Sequence, residues 1–353
     1  MRIIILIFNA FRDLIIRYLP RMRKKGGFAF IVHPRNMPDV YRKYPFFKIL
    51  PISFLEWFLR HYWPVILSKT EGLKDKNDKE VSGWIITIPL TAEQMLKDKN
   101  LAKKKILQAI KLAEKMGAKI IGLGAFIVSI TNGGKDIINH TKTFITTGNS
   151  LMAGITVSAI KDILKNNPDK KNIAIIGATT FIGSAVSKLL AENNFDSLIL
   201  IGKTIEHINK LKDEINEVNK SLKTTSSVNI GDIIQADIIV IATSAQNIGI
   251  KSEYIKINAV IYDTSQPKSI PEEILNKRKD IKYIEGGLVK TPGVNYHFNF
   301  GIEKETAFAC LGETMILAAE NMDNHYSIGD LDTEKIMNIS KLAEQYKFKT
   351  SSL

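Results

Sequence analysis

Two groups of residues in this chain of 353 could take part in chemistry. Gly177 and Gly183 follow a short apolar run, residues 173–176, and lead into a segment whose apolar residues recur at helical spacing. A strand, a glycine turn and a helix in this order form a corner that binds a pyrophosphate, because backbone N–H groups at the helix start face the phosphates. The second group is the single cysteine, Cys310, whose thiolate could act as a nucleophile.

The glycine turn predicts a dinucleotide site with contacts from the turn, from the ends of later strands and from a second glycine pair. The predicted cofactor-binding residues are Gly177, Thr179, Thr180, Phe181, Ile182, Gly183, Lys203, Thr243, Gly286 and Gly287. Thr180 stands where the common spacing has a third glycine, so an ordinary strand–helix turn without a nucleotide is the alternative.

The cofactor preference depends on the end of the next predicted strand, residues 197–202. An NAD site usually has Asp or Glu there, whereas this chain has Gly202, Lys203 and Thr204. Because no carboxylate is present for the ribose hydroxyl and Lys203 could meet a phosphate, the sequence favours NADPH over NADH. The alternative is that Lys203 is a solvated surface lysine in a lysine-rich chain.

The elements that must position these groups follow from buried apolar runs that alternate with helical segments. We expect an α/β fold, with a Rossmann-type doubly wound parallel sheet plus an interleaved second α/β substrate domain. The expected divisions are an amphipathic basic segment at 1–27, the first part of the substrate domain at 28–165, the NADP-binding domain at 166–300, and C-terminal helices at 301–353 that return to the substrate domain. Within the substrate domain we predict a helix over 92–116 and a buried strand over 118–130.

The composition limits the classes of partner molecule that we expect. The net charge of +13 indicates an acidic partner such as anionic lipid or an acidic carrier protein. No nucleic-acid-binding motif is present, so we do not expect nucleic acid. A single cysteine excludes a disulfide within the chain and is typical of a protein in a reducing cytosol. The cysteine and histidines do not show the spacing of a metal site, so we do not expect a metal. We therefore expect a cytoplasmic protein.

The start of the chain predicts contact with a membrane surface. Residues 1–19 place their apolar side chains on one helical face, and the basic residues of 20–27 follow. This form is typical of a helix in the interface of an anionic membrane, here its inner face, and the alternative is a helix docked on the protein itself. The aromatic-rich section 41–67 suits an interface or the mouth of an acyl tunnel, or else a helical hairpin packed on the core.

Between residues 28 and 348 the chain resembles the long-chain acyl-[acyl-carrier-protein] reductases. The motifs that carry the resemblance are FAFIVH (28–33), GLGAF (122–126), FITTGN (144–149), IIGATTFIGSAV (175–186), EGGLV (285–289) and FACLGETMILAAEN (308–321). Members of that family reduce a fatty acyl thioester to a fatty aldehyde with NADPH. The resemblance implies the same reaction here, with acyl-carrier protein or acyl-CoA as the acyl donor.

The resemblance also implies that Cys310 is the acylated nucleophile, because it stands in the FAC motif. A position near a helix start lowers a thiol pKa, although a lone cysteine among apolar residues is commonly a small core residue. Asn149 and Thr147 are candidate donors to the tetrahedral oxyanion, and Thr147 could instead cap the helix that begins near Asn149. His33 and His297 are candidates for a proton relay, and either could be structural.

Two other functions stay open from the residues alone. One is an NAD(P)-dependent dehydrogenase of a small metabolite, built like shikimate or amino-acid dehydrogenases, which would keep the glycine turn but would not need Cys310. The other is a non-catalytic nucleotide-binding membrane adaptor, which the basic start of the chain and Thr180 favour.

Overall fold

The computed structural model describes residues 27–350 apart from 125, 244, 246, 247 and 267. The amphipathic segment predicted at 1–27 therefore lies, except for Gly27, outside the described residues. The chain divides into two compact units. The first contains the residues up to Gly148 together with Thr291–Gly329, and the second contains Asn149–Lys290 and the residues from Asp330 onward.

The first unit is built on a five-stranded sheet in the order β2-β3-β1-β4-β5. Strand β2 is antiparallel to β3, and the other neighbours are parallel. The carboxyl ends of four parallel strands therefore lie at one edge of this sheet. The strands are β1 (Phe28–Val32), β2 (Val65–Thr70), β3 (Gly83–Thr87), β4 (Ile120–Leu123) and β5 (Phe144–Thr146).

Among the described residues of the first unit, five α-helices precede β5. They are α1 (Met37–Lys43), α2 (Ile52–His61), α3 (Ala92–Lys97), α4 (Lys99–Lys115) and α5 (Phe126–Ile130), with short 3-10 helices at Pro45–Ile49 and Ile138–His140. Helix α4 buries apolar residues such as Ile106 against the sheet, in a cluster with Ile121 and Leu123 of β4. Because strand neighbours point to opposite faces, Gly122 faces the other side.

The second unit contains a six-stranded sheet, all parallel, in the order β11-β10-β9-β6-β7-β8. Its strands are β6 (Asn172–Ile176), β7 (Ser197–Ile201), β8 (Lys223–Ser227), β9 (Ile238–Ile241), β10 (Val260–Asp263) and β11 (Lys282–Glu285), followed by β12 (Leu288–Lys290). Both faces of the sheet are covered, since Ile173 and Ile175 of β6 belong to one buried cluster and Ala174 and Ile176 to another. This explains why its central strands are continuous apolar runs.

The helices of the second unit are α6 (Asn149–Asn166), α7 (Phe181–Ala191), α8 (Ile205–Val218) and α9 (Glu272–Lys277), with 3-10 turns at Ile230–Gln235 and Ser252–Tyr254. The chain then enters the first unit with β13 (Thr306–Phe308) and α10 (Ala309–Ala319) and returns to the second with α11 (Thr333–Gln345). The fold class is thus α/β with a Rossmann-type parallel sheet, as the sequence predicted. None of the described helices is both long and apolar enough to cross a membrane.

The observed divisions differ from the predicted boundaries in three places, the first being that residues 291–300 belong to the first unit and not to the nucleotide-binding domain. Helix α6 belongs to the second unit, which begins at Asn149 and not at 166. The last residues, from Asp330 onward, also belong to the second unit and not to the substrate domain. The physical reason is packing within that unit: Ile336 of α11 joins the same buried cluster as Ile160 and Ile163 of α6.

Two predicted elements of the first unit are also corrected. The helix predicted over 92–116 is interrupted at Asp98, whose backbone is non-helical and whose side chain caps α4 by accepting a hydrogen bond from the Leu101 N–H. The strand predicted over 118–130 ends at Leu123, and α5 follows. The chain leaves the sheet after Gly124, whose N–H donates to the Ile31 carbonyl.

A buried carboxylate fastens the start of the second sheet. Asp237 lies just before β9 and accepts hydrogen bonds from the backbone N–H groups of Lys171 and Asn172, both at 3.0 Å, while Lys256 Nζ lies 2.5 Å from its other oxygen. Burial alone raises the pKa of Asp237, but these donors and the Lys256 ammonium outweigh it and hold the pKa below its ordinary value.

We expect Asp237→Asn to destabilise the protein by about 1–3 kcal/mol, because the amide loses the ion pair and the charge-assisted bonds to two backbone donors. A group whose pKa is lower in the folded than in the unfolded state stabilises the folded protein at pH values above its unfolded-state pKa, which is about 4 for Asp. That stabilisation is lost as the pH falls through the folded-state pKa. The difference between wild type and variant in urea midpoint should therefore shrink on acidification below about pH 4. Glu273→Gln, which breaks the exposed pair with Lys277, is the control and should not shift the midpoint. Equal effects of both substitutions would contradict the anchoring role of Asp237.

Candidate functional site

The glycine turn of the second unit joins β6 to α7 and has no space for side chains at its two glycines. Gly177 has φ +81°, and a Cβ there would lie 2.8 Å from the Ala242 carbonyl oxygen and 2.9 Å from the Thr243 side chain. A Cβ on Gly183 would overlap the carbonyl oxygen of Gly177. Both positions therefore require glycine, because the neighbouring backbone segments pack too closely for a side chain. Such close packing of the backbone is what a pyrophosphate-binding turn needs.

Thr180 fits this turn without a third glycine. It is the N-cap of α7 with extended backbone at φ −75°, and its hydroxyl accepts a hydrogen bond of 3.0 Å from the Gly183 N–H. The same hydroxyl donates to the Ala242 carbonyl at 2.7 Å, which ties the start of α7 to the end of β9. A threonine here satisfies one helix-end donor and costs no strain. The absence of the third glycine thus does not distort the turn.

The other predicted cofactor residues lie at the same edge of the sheet, because all its strands are parallel. Thr179 is exposed, and Phe181 and Ile182 are half-buried in the first turn of α7. Lys203 is exposed directly after β7, and the Thr243 hydroxyl, just after β9, accepts from the Ala245 N–H. The edge therefore combines a glycine turn, a lysine and a threonine at the carboxyl ends of neighbouring strands, where ligands of open α/β sheets bind.

The second glycine pair follows β11 and has a packing explanation. A Cβ on Gly286 would overlap the ring of Tyr262, which is fully buried, and the Gly286 N–H donates to the Asp263 carbonyl at 2.8 Å. Gly287 has φ +77° and lies against the Met152 side chain. Gly286 therefore offers no free amide to a ligand, and the turn is held by the neighbouring strand.

A buried carboxylate that the sequence motifs do not single out lies beside this turn. Asp263, at the end of β10, accepts hydrogen bonds from the hydroxyl and the N–H of Ser265, from the Ser269 N–H and from the Tyr283 hydroxyl. Burial raises the pKa of Asp263 above its ordinary value despite these donors. The signal in the sequence was a lone acid at the end of the apolar run 259–262.

In the first unit, Cys310 lies at the start of α10 and packs on the turn after β5. It is the second residue of the helix and is half-buried. Gly148, with φ +76°, lies so close that a Cβ there would overlap the Cα and Cβ atoms of Cys310. The thiol is therefore at the carboxyl edge of the first sheet, beside the end of β5.

The hydroxyls next to this turn donate to protein acceptors. Thr146 and Ser327 both donate to Glu313, a fully buried carboxylate of α10, and the Ser327 contact measures 2.6 Å. Thr147 donates to the Ser327 carbonyl and is also buried. The expectation that Thr147 supplies a free oxyanion donor is thus corrected, because its hydroxyl donates to the Ser327 carbonyl. Capping of the helix, in which the hydroxyl oxygen would accept, stays a prediction. Asn149, the other predicted donor, is the buried first residue of α6 in the second unit.

Glu313 is a site residue that sequence reasoning missed. Its signal was present, since it is the single acid inside the apolar segment 307–319. A carboxylate at such a position is buried only if donors meet it, and Thr146 and Ser327 do so. These hydrogen bonds connect α10 to the end of β5 and to the chain after the helix.

The two candidate relay histidines are both engaged. His33 is buried at the end of β1; its Nε2 accepts from the Phe126 N–H at 3.2 Å, so Nδ1 carries the proton and donates to the Pro34 carbonyl. Burial lowers the pKa of His33, which is consistent with a neutral ring. His297 is exposed and pairs with Glu71 at 3.0 Å. His33 is therefore structural, and His297 lies on the surface, hydrogen-bonded to Glu71.

Comparison with known proteins finds a family model that matches part of the second unit. The family model "Shikimate / quinate 5-dehydrogenase" matches residues 159–284, which run from α6 to β11 and include the glycine turn. Curated relatives include the aminotransferase PigE of a Serratia strain, 27% identical over 75% of this chain, and glutamyl-tRNA reductase of Christiangramia forsetii, 25% identical over 51%. A bifunctional FolD protein of Staphylococcus epidermidis is 27% identical over 63% of the chain. The chain spans 32%, 42% and 60% of the lengths of these three proteins.

Two solved structures match the chain at low identity. Quinate dehydrogenase from Corynebacterium glutamicum, in complex with NAD, is 11% identical with a TM-score of 0.37, and the match covers 73% of this chain and 88% of that one. The 5-ketofructose reductase of a Gluconobacter strain is 11% identical with a TM-score of 0.38, covering 90% and 98%. Likenesses at this level do not identify an activity.

The family model corrects the resemblance read from the motifs. The expected membership of the long-chain acyl-[acyl-carrier-protein] reductases is wrong, because the model that matches the nucleotide-binding part is that of the shikimate/quinate dehydrogenases. The expected reduction of a fatty acyl thioester is therefore wrong as well. The same holds for the acyl-enzyme at Cys310 that the resemblance implied. These comparisons do not test the acyl donors that were expected as partners.

We predict that Gly183→Ala weakens NADPH binding about tenfold or more, because the new Cβ displaces the Gly177 carbonyl and with it the N–H groups of the turn. Fluorescence titration of NADPH measures the dissociation constant. Gly231→Ala is the matched control in the same unit, since the nearest atom to its added Cβ is the side-chain oxygen of Asn229 at 3.3 Å and no backbone atom lies closer. Unchanged NADPH affinity in a folded Gly183→Ala protein would show that the turn does not hold the cofactor.

Proposed function

We propose that the protein is an NAD(P)-dependent oxidoreductase that interconverts a hydroxyl and a carbonyl group of a small metabolite. The observation that carries the proposal is the match of the shikimate/quinate dehydrogenase model to residues 159–284. These residues contain the turn in which Gly177 and Gly183 leave no room for side chains. The matched region and the cradle are thus the same part of the chain.

The residues of the turn fit a dinucleotide. Gly177 and Gly183 allow the backbone to approach a pyrophosphate, and the N–H groups at the start of α7 supply donors and the positive end of the helix dipole. Thr180 keeps that helix start attached to β9 through its bond to Ala242. A bound nicotinamide dinucleotide would supply the hydride acceptor or donor. The chain's own contribution at this site is to bind and orient the cofactor.

The substrate side of the reaction belongs, in this proposal, to the carboxyl edge of the first sheet. The parallel strands β1, β3, β4 and β5 end there, and open α/β sheets bind ligands at that edge. The half-buried thiol of Cys310 lies at the end of β5, so it is a candidate for substrate contact and not for covalent chemistry. Hydride transfer to a carbonyl forms no bond to sulfur.

The phosphate of NADP is the finer part of the proposal. Lys203 is exposed directly after β7, and the described residues 202–204 include no carboxylate that would bind the ribose hydroxyls of NAD. A cation at this position favours a cofactor with a 2′-phosphate. We therefore propose that the enzyme prefers NADPH over NADH.

Lys203→Glu should reverse part of this preference, lowering the ratio of NADPH to NADH affinity about five- to tenfold, with a smaller effect at high salt because the site is exposed. Titrations of both cofactors at two salt concentrations measure the ratio. Lys210→Glu, an equal charge change at an exposed position of α8, is the control and should leave the ratio unaltered. If both variants change the ratio alike, general charge and not Lys203 sets the preference.

Cys310→Ala separates the proposed reaction from thiol chemistry. We expect the variant to retain turnover within about twofold, because a dehydrogenase has no covalent intermediate on sulfur. The assay follows absorbance of the reduced nicotinamide with small hydroxylated carboxylates, shikimate and quinate among them, and their keto forms. A loss of about a hundredfold or more in a folded Cys310→Ala protein would refute the proposed reaction class. Absence of turnover with the whole panel, in a protein that binds NADPH, would refute the substrate class.

A further inference from the structure

Asp263 is a fully buried carboxylate at the carboxyl end of β10, to which the proposed reaction assigns no role. One of its oxygens accepts from the hydroxyl and from the N–H of Ser265, and the N–H contact measures 2.9 Å. Its other oxygen accepts from the Ser269 N–H at 3.1 Å and from the Tyr283 hydroxyl at 3.2 Å. Each oxygen therefore receives one backbone donor from the loop that follows β10.

Hydroxyl groups of the same loop extend this network to the neighbouring strand. The Ser269 hydroxyl donates to the Ser265 hydroxyl at 2.8 Å, and the Ser265 hydroxyl donates to Asp263. The Thr264 hydroxyl donates to the Ile241 carbonyl at the end of β9, also at 2.8 Å. Thr264, Ser265 and Ser269 are all buried. The inner side of the loop is thus bonded to the ends of β9 and β10.

The outer side of the loop is bonded to β11. Lys268 Nζ lies 3.3 Å from the Glu285 carboxylate and 5.4 Å from the centre of the Tyr283 ring. The Gln266 amide donates to Glu285 at 3.2 Å. Lys268 is exposed, and exposed ion pairs contribute little to stability because water screens them. The buried, charge-assisted bonds to Asp263 therefore do more to fix the loop than these outer contacts do.

The order of the strands assigns this loop to one half of the proposed cofactor site. Strands β7 and β8 lie on one side of β6, and β9, β10 and β11 lie on its other side, so the order reverses between β6 and β9. A dinucleotide binds across such a reversal, with one mononucleotide half on each side. Lys203, after β7, is on the side proposed for the adenosine ribose and its 2′-phosphate. The nicotinamide half then belongs to the carboxyl ends of β9 and β10.

We propose that Asp263 is a positioning residue for the nicotinamide half of the cofactor, because its bonds to Ser265 and Ser269 fix the loop that borders this half. The inference rests on the proposed function, since it needs a nicotinamide dinucleotide to bind at the edge of the second sheet. Asp263 is fully buried, so its effect on the cofactor passes through the backbone of the loop.

Asp263→Asn tests this role with a side chain of the same shape. Either orientation of the amide places its NH2 group against a backbone N–H, that of Ser265 or that of Ser269, and a backbone donor cannot turn into an acceptor. We expect the variant to bind NADPH about tenfold more weakly, as measured by fluorescence titration. Adenosine 2′,5′-bisphosphate, which carries the adenosine half and no nicotinamide, should bind within about twofold of its wild-type affinity by calorimetry.

Asp237→Asn is the matched control. Asp237 also accepts two backbone N–H groups, but at the opposite edge of the same sheet. Its substitution should destabilise the protein and leave the affinities for both ligands unaltered. Ser265→Ala removes one donor to Asp263 and should weaken NADPH alone, by about threefold. This milder variant decides the question if Asp263→Asn does not fold.

Equal losses of affinity for the two ligands in Asp263→Asn would mean that Asp263 only stabilises the unit, and this result would overturn the proposal. Unchanged NADPH affinity in folded Asp263→Asn would overturn it too, as would unchanged affinity in Ser265→Ala where Asp263→Asn does not fold. If the wild-type protein binds neither ligand, the proposed function itself fails and the positioning role fails with it. Weaker binding of NADPH alone, with Asp237→Asn like wild type, is the supporting result.

Discussion

The contact between Gly183 and the carbonyl of Gly177 is the constraint on which the nucleotide-binding part of this protein depends. No side chain fits between the two backbones, so the chain must turn directly from β6 into α7. That turn leaves the N–H groups at the helix start near the carboxyl ends of the strands. Thr180 completes the arrangement, because its single hydroxyl caps the helix and bonds to the Ala242 carbonyl after β9. Four backbone and side-chain positions therefore set the geometry of the corner.

In the first unit, a buried carboxylate connects a helix to the end of a strand. Glu313 lies inside an apolar helix, and hydrogen bonds from Thr146 and Ser327 offset part of the free-energy cost of burying its carboxylate. These bonds hold the start of α10 against the end of β5, where Gly148 lets Cys310 approach the backbone. Residues that look chemically active in the sequence, among them Thr147 and His33, are thereby occupied in holding this edge together.

This occupation explains why the motif resemblance led to the wrong family. The segments at 144–149, 175–186 and 308–321 owe much of their composition to packing: Gly148 to the approach of Cys310, Gly183 to the approach of Gly177, and Glu313 to its two hydroxyl donors. Packing demands of this kind recur in α/β proteins with different reactions, so shared residues at these positions indicate a common architecture before they indicate a common substrate.

The sequence by itself determined the central strands of the second unit, its helices α7 and α8 and the place of the glycine turn, because a buried parallel sheet requires continuous apolar runs and a tight turn requires glycine. Local patterns of that sort act over a few residues and are readable along the chain. Only the tertiary structure decided that α6 and the residues from Asp330 onward belong to the second unit. It also decided that the Thr147 hydroxyl donates a hydrogen bond to the Ser327 carbonyl, and that Glu313 is buried and hydrogen-bonded to Ser327. Those outcomes depend on contacts between residues up to 180 positions apart, as Thr147 and Ser327 are. A contact between residues so far apart in the sequence produces no local periodic pattern, so the sequence alone does not show which group a polar side chain will bond.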